Sequence, residues 1–192
     1  MAGQPLGSYE AGPPLFTHAP KHGLSFGVLR TRFSDRDNDP AAYIAEKLAP
    51  VLPDGGHWQP TAARTDTVLP PGVPDLFLDP MVLAASYVSN LLPAQKDLLI
   101  CLKMTLDEDQ PLHGGWERAR AFARDALVAG HGLPVVLVLH DPAMSGRLRP
   151  NPPHIHALAF ARRFAARGWA ERSLLARDAA HDELAEAWAQ QR

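Results

Sequence analysis

The sequence predicts an α+β domain with an antiparallel or mixed central sheet and helices on one face, close to a ferredoxin-like or split βαβ plan. Two observations carry this prediction. Residues 135–140 (VVLVLH) and 154–164 (HIHALAFARRF) are strand-like runs with no helical segment between them. Elsewhere, single segments whose apolar residues have helical spacing, such as 116–130, lie between one predicted strand and the next. The length of 192 residues suits a single domain.

The remaining segments follow from turn residues and apolar spacing. Pro40 after Asn38 and Asp39 predicts the start of a helix, and Pro50 predicts its end. Proline removes the backbone donors that a sheet needs, so the Pro-rich segment 53–80 is predicted to be a surface insert outside the sheet, a loop region in which a short strand or a turn of helix is left open. In chain order we predict a mobile leader (1–22), a strand (24–33), a helix (41–49), the insert (53–80), a helix (80–90), a strand (98–106) and a C-terminal acidic helix (178–192), with 23–192 as one domain.

Composition narrows the class of protein. Cys101 is the single cysteine, which excludes an internal disulfide framework and favours a reducing, cytoplasmic compartment. The sequence has no apolar run of membrane-spanning length and no signal-peptide pattern. The net charge of -2 is not that of a strongly basic nucleic-acid binder, but residues 140–177 carry seven arginines against two acids.

Three histidines form the clearest candidate site. His154 and His156 alternate along one strand, so they point to the same face with Cα atoms about 6.5–7 Å apart. His140 ends the preceding strand, and antiparallel pairing would place it beside them. Three imidazoles leave an open coordination position, as catalytic metal sites do. The sequence therefore predicts a divalent metal ion here, with Mn, Mg, Zn and Ni left open.

The connection between these two strands carries polar residues of its own. Residues 141–153 are a long link for a hairpin, and links of this length are often functional. Arg147, Arg149 and Asn151 are donors that could meet an anion near the metal. These residues are therefore candidate phosphate contacts.

At this point the residues resemble a known family. The stretch 134–163 resembles the core of MobA/MobL-type relaxases, plasmid-mobilisation members of the HUH endonucleases. The family pattern is a strand ending in His, a loop with Asn-Pro, and a His-x-His strand that closes on an arginine. Asn151, His154 and His156, with Arg162 or Arg163, match it here. Ala41, Ala42 and Tyr43 resemble the Ala-Ala-Tyr helix that follows the first strand in that family.

The resemblance implies a fold and a chemistry. The fold would be the HUH relaxase plan. The metal would orient a phosphate oxygen, and Tyr43 would attack the phosphorus to form a phosphotyrosine bond. The substrate would be single-stranded DNA at a transfer origin, in conjugation and plasmid mobilisation, with accessory mobilisation proteins as partners and no membrane. The DNA contacts implied are Arg147, Arg149, Asn151, Arg162 and Arg163.

Two other classes of function remain open. One is a non-catalytic relative that binds metal, nucleic acid or a partner protein. The other is a metal-dependent hydrolase that uses a bound water, with Asp141 as the nearby carboxylate. A histidine-triad nucleotide hydrolase is discounted, because the third alternating histidine of that motif is Leu158 here. The other tyrosines, Tyr9 and Tyr87, are less well placed than Tyr43.

Overall fold

A computed structural model describes residues 15–16, 18–33, 36–48, 62–106, 110–141 and 152–191. Within them, α3 continues with π-type hydrogen bonding over Ala123–Ala129, and a short 3₁₀ helix spans Asp75–Leu78. The elements are β1 (Leu24–Arg30), β2 (Arg32–Phe33), β3 (Arg36–Asp37), α1 (Pro40–Leu48), β4 (Ala62–Val68), α2 (Pro80–Ser89), β5 (Asp97–Thr105), α3 (Leu112–Phe122), β6 (Val135–His140), β7 (His154–Phe160), β8 (Arg162–Ala165), β9 (Gly168–Arg172) and α4 (Ala180–Gln190).

A five-stranded sheet in the order β1-β5-β7-β6-β4 forms the centre of the fold, and every neighbouring pair in it is antiparallel. β5 and β6 both pair with β7, so they run parallel to each other with β7 between them. α3 connects them, which makes this part a split βαβ unit. The predicted α+β class and antiparallel sheet are confirmed, as is the pairing of the two histidine-bearing strands.

The sheet is covered on both faces, and the prediction of helices on one face is wrong. Trp116 and Phe122 of α3 and Trp188 of α4 join the core on one face. Ile44 of α1 and Tyr87 of α2 join the core on the other. The physical reason is visible in the central strands, whose side chains are apolar at successive positions and therefore need cover on both sides.

The predicted surface insert is also corrected in part. β4 lies within the segment 53–80 and pairs with β6 at the edge of the main sheet. The stretch between Pro60 and Pro70 contains no proline, so its backbone donors are available to the ladder. Residues 53–61 of the predicted insert lie outside the described residues.

The described part of the predicted leader packs against the sheet. Leu15 crosses β1 at Gly27, where an added Cβ would lie 2.4 Å from the Leu15 carbonyl oxygen, so only glycine fits there. Lys21 forms ion pairs with Asp182 and Glu186 of α4. Residues 15–16 and 18–22 therefore lie against the domain, while residues 1–14 and 17 lie outside the described residues. α4 itself falls within the predicted C-terminal acidic helix.

Candidate metal centre

The three histidines meet at one end of the β6–β7 pair. In the register of the two strands His140 lies opposite His154, and Val138 lies opposite His156. The ring centroids are 5.3 Å apart for His140–His154, 5.0 Å for His140–His156 and 5.1 Å for His154–His156. One nitrogen from each ring lies within 4.8 Å of the others, which is a spacing that one metal ion can span.

Hydrogen bonds leave ring nitrogens available for a ligand. Since a carbonyl oxygen only accepts, His140 donates from Nε2 to the Lys47 carbonyl at 2.8 Å, and its Nδ1 keeps a lone pair. His154 donates from Nδ1 to the Pro152 carbonyl at 3.0 Å, so its Nε2 keeps a lone pair. His156 Nδ1 is buried without a hydrogen-bond partner. Carbonyl partners of this kind orient metal-binding histidines, and the unpaired nitrogen fits a site completed by an ion.

The histidines are neutral at pH 7 because of their surroundings. Burial lowers the pKa of His154 to about 4 and lowers those of His140 and His156 as well. The positive charges of Lys47 and Lys103 lower the pKa of each imidazole further. A neutral imidazole is the form that binds a metal, so protons compete with an ion only under acidic conditions.

Helix α1 brings Tyr43 to the same face of the sheet as the histidines. Its last turn contacts the site through the Lys47 carbonyl, and the Lys47 ammonium lies 4.9 Å from the centroid of the Tyr43 ring. Burial raises the pKa of the Cys101 thiol on β5 to about 12, and the nearby Tyr43 hydroxyl offsets part of that rise. Cys101 lies two residues from Lys103, the register partner of His156, so both side chains are on the face of the sheet that carries the histidines.

Two functional candidates, Lys47 and Lys103, were not predicted. Lys103 lies opposite His156 in the register of β5 and β7. Lys47 follows Tyr43 by four residues on α1, a spacing that places both on one side of a helix. That spacing is a signal in the sequence for Lys47. No local signal exists for Lys103, because a strand register between distant segments places it.

The two arginines predicted to close the DNA contact lie elsewhere. Arg162 and Arg163 follow the far end of β7, about 20 Å along the strand from His154. The buried Arg162 side chain donates to the carbonyls of Ala170 and Asn90, at 2.7 and 2.5 Å. Arg163 forms an exposed ion pair with Glu171 at 2.6 Å. Arg162 is therefore a structural residue and not a DNA contact at the histidine site, because it is buried at the far end of the strand and bonds two backbone carbonyls there.

The other predicted residues divide into two groups. Tyr87 is fully buried, accepts from Gln95 and donates to the Leu98 carbonyl, and burial raises its pKa well above the usual range for tyrosine. It is therefore not available as a nucleophile. Asp141 is described but is not a member of the three-histidine cluster. Arg147, Arg149, Asn151 and Tyr9 lie outside the described residues.

Comparison with known proteins gives the fold. A relaxase structure solved to explain vancomycin resistance transfer in Staphylococcus aureus superposes with a TM-score of 0.60 at 16% sequence identity. The superposition covers 77% of this chain and 80% of that one. The chain has a relaxase-type fold. No protein-family model matches the sequence, and neither does any curated protein. At 16% sequence identity the likeness shows the fold and nothing more, and it comes from the superposition of the two structures.

Proposed function

We propose that this relaxase-type domain cuts one strand of single-stranded DNA by transesterification, with Tyr43 as nucleophile and a metal ion held by His140, His154 and His156. One observation carries the proposal. The helix that bears Tyr43 also provides the carbonyl that orients His140, so one element joins the candidate nucleophile to the candidate metal ligands. The substrate would be single-stranded DNA at a transfer origin.

The histidine nitrogens fit a divalent ion, because each ring retains a lone pair that the fold does not use. Imidazole ligands suit Zn and Ni better than Mg and Mn, which favour oxygen ligands. When bound, the ion would polarise and orient a phosphate oxygen. The ring orientations, fixed by the carbonyls of Lys47 and Pro152, would keep the site preorganised for it.

Tyr43 would supply the covalent chemistry. Its phenolic oxygen attacks the phosphorus and forms a tyrosine–phosphate ester, while the bond from phosphorus to the leaving sugar oxygen breaks. The phenol proton passes to solvent, and the leaving oxygen takes up a proton. The positive charge of Lys47, 4.9 Å from the ring, stabilises negative charge as it develops on the phenol oxygen. Because an ester replaces an ester, the strand can be rejoined later.

The proposal includes a setting. Relaxases of the resembled family act in plasmid mobilisation and conjugation with accessory mobilisation proteins, and we propose the same partners and a cytoplasmic location here. In the described residues no helix is long and apolar enough to span a membrane. Arg147, Arg149 and Asn151 remain proposed DNA contacts on the link between β6 and β7.

An adduct assay tests this function. The protein is incubated with Mn²⁺ and labelled single-stranded oligonucleotides that carry a hairpin and the cognate transfer origin. A protein–DNA adduct that survives boiling in detergent is expected. It should disappear with chelator and in the Tyr43→Phe variant, and it should persist in the Tyr9→Phe and His113→Ala controls, which change another tyrosine and an exposed histidine.

Two outcomes would contradict the proposal in different ways. An adduct that survives in Tyr43→Phe would move the nucleophile to another residue. Absence of any adduct on a cognate origin would favour the non-catalytic relative. A DNA strand cut without an adduct would favour hydrolysis by a bound water, which the described cluster supports less because it contains no carboxylate.

A further inference from the structure

Two lysines flank the histidine cluster, each on a different element. Lys103 is the register partner of His156 on β5, which places their Cβ atoms about 4.5–5.5 Å apart on one face of the sheet. Lys47 lies in the last turn of α1, and its own carbonyl accepts from His140. Both side chains are partly buried, and their positive charges act on all three imidazoles, whose pKa values they lower.

The charge at this end of the sheet is unusual for a cation site. The three imidazoles are neutral, and the described cluster contains no carboxylate. A divalent ion bound there keeps its charge, and two ammonium groups nearby repel it. An anion at the open coordination position would remove this repulsion. A bound ion would therefore add to the positive charge at this end of the sheet, and an anion would offset it.

We propose that Lys47 and Lys103 bind a phosphate of single-stranded DNA at the histidine centre, and that phosphate and metal ion bind there cooperatively. This inference rests on the proposed function and names the groups that would contact its substrate. One acidic side chain opposes the proposal. Glu46 Oε1 lies 3.1 Å from Lys47 Nζ, and this partly exposed pair contributes little stability and would give way to a phosphate.

The first measurement is DNA binding without metal. Affinity of a labelled mixed-sequence single-stranded oligonucleotide is measured by fluorescence anisotropy, in chelator, over a range of salt. Each lost phosphate contact reduces the slope of log affinity against log salt by about 0.7 for single strands. We expect this reduction in Lys47→Gln and in Lys103→Gln. Lys96→Gln is the matched control, because Lys96 is exposed just before the other end of β5 and should leave the slope unchanged.

The second measurement is metal binding without DNA, and the expected sign is opposite. Removing a nearby positive charge should tighten Mn²⁺ binding by about threefold or more in Lys47→Gln and Lys103→Gln. Adding the oligonucleotide should tighten Mn²⁺ binding by the wild-type protein, and by linkage Mn²⁺ should tighten oligonucleotide binding by the same factor. If the lysines had only a structural role, their replacement would weaken both DNA binding and Mn²⁺ binding. The two affinities would then not change in opposite directions.

The outcomes decide between the two proposals. Tighter metal binding with a lower salt slope in both variants supports the lysine inference, even if no covalent adduct forms. An unchanged slope in both variants, or an equal change in Lys96→Gln, overturns it, even if the adduct assay succeeds. Should a glutamine variant fail to fold, Lys47→Arg and Lys103→Arg keep the charge and should retain the wild-type slope. A loss of slope in a folded arginine variant would also overturn the inference.

Discussion

The two ends of the central sheet each hold a buried polar cluster, and the clusters differ in how completely the protein satisfies them. At the histidine end His156 Nδ1 has no partner and three neutral imidazoles face one another. At the opposite end, which we call the arginine end, Arg162 donates to two carbonyls and Asp97 pairs with Arg30 and Arg172. The arginine end uses its polar groups for the fold, whereas the histidine end keeps unused capacity to bind.

This difference is informative because both clusters contain residues that sequence patterns associate with function. In the sequence, an arginine just after a strand and a histidine at the start of one are equally good candidates for a binding site. Only the partners distinguish them, since a group whose donors are all used inside the protein has little left for a ligand. Among the described residues, two other buried side-chain nitrogens lack partners, Trp116 Nε1 and Arg118 Nε, but each is a donor on α3 and neither belongs to the three-histidine cluster.

The largest expected effect is on metal affinity at the histidine end. His156→Ala should weaken Mn²⁺ or Zn²⁺ binding by at least about 100-fold, because it removes one of three ligands, whereas losing a group that only orients a ligand already costs about 10–100-fold. Isothermal titration calorimetry measures this. His113→Ala changes an exposed histidine on α3 and should leave the affinity as it is. Equal binding by both variants would mean that the ion does not use this cluster.

The arginine end should respond in stability and not in binding. Arg162→Met leaves the carbonyls of Ala170 and Asn90 without their donor, so the free energy of unfolding should fall by about 2–4 kcal/mol. Urea denaturation measures the loss. Arg163→Met removes only an exposed ion pair and should cost under about 0.5 kcal/mol. Similar losses in the two variants would contradict the structural role given to Arg162.

The two described tyrosines on the α1–α2 face extend the comparison. Tyr87→Phe removes hydrogen bonds with Gln95 and Leu98 and should cost about 1–2 kcal/mol of unfolding free energy while leaving adduct formation intact. Tyr43→Phe removes one hydroxyl from a half-buried ring and should cost under about 1 kcal/mol. Thermal unfolding and the adduct assay, run on both variants, should therefore give opposite rankings.

Much of the fold was predictable because local patterns determine it. The β-branched run at Val135–His140 and the alternation at His154–Phe160 placed two strands, and their proximity in sequence made antiparallel pairing the natural expectation. The sequence also contained a signal that helices cover both faces of the sheet, because β5 is apolar at successive positions and not only at alternate ones. β4 was not placed in the sheet because it is a short strand of mixed polarity between prolines. The prediction applied the effect of proline on a sheet to all of residues 53–80, although the strand itself contains none.

The residues of the candidate site likewise fall into those that local sequence patterns predict and those that only the three-dimensional structure places. The histidines could be predicted because a strand fixes the direction of alternate side chains and a hairpin brings two strand ends together. Lys103 could not, because the β5–β7 register depends on packing between segments about fifty residues apart. Arg162 was misassigned because its charge is visible in the sequence, while the backbone carbonyls that occupy it are visible only in three dimensions.

The last expected effect is a dependence of stability on pH, to which the three imidazoles of the histidine end contribute through their lowered pKa values. Burial lowers the pKa of His154 to about 4, whereas an unfolded histidine has a pKa near 6.5. Between these values the unfolded chain binds more protons, so the free energy of unfolding of the metal-free protein should fall as pH decreases below about 6.5. The slope is at most about 1.4 kcal/mol per pH unit for each extra proton, and above pH 6.5 this contribution is constant.

Urea denaturation between about pH 5 and pH 7 separates the two ends of the sheet. His154→Gln removes one proton-binding group, so its stability should depend less on pH than that of the wild type, while His113→Gln should follow the wild type. Saturating metal should steepen the wild-type dependence, because acid then also displaces the ion. An arginine stays charged across this range, so the cost of Arg162→Met should be the same at both ends of it. If that cost changed with pH as strongly as the His154→Gln difference does, the two clusters would not be electrostatically distinct, and the contrast between a satisfied cluster and a binding one would fail.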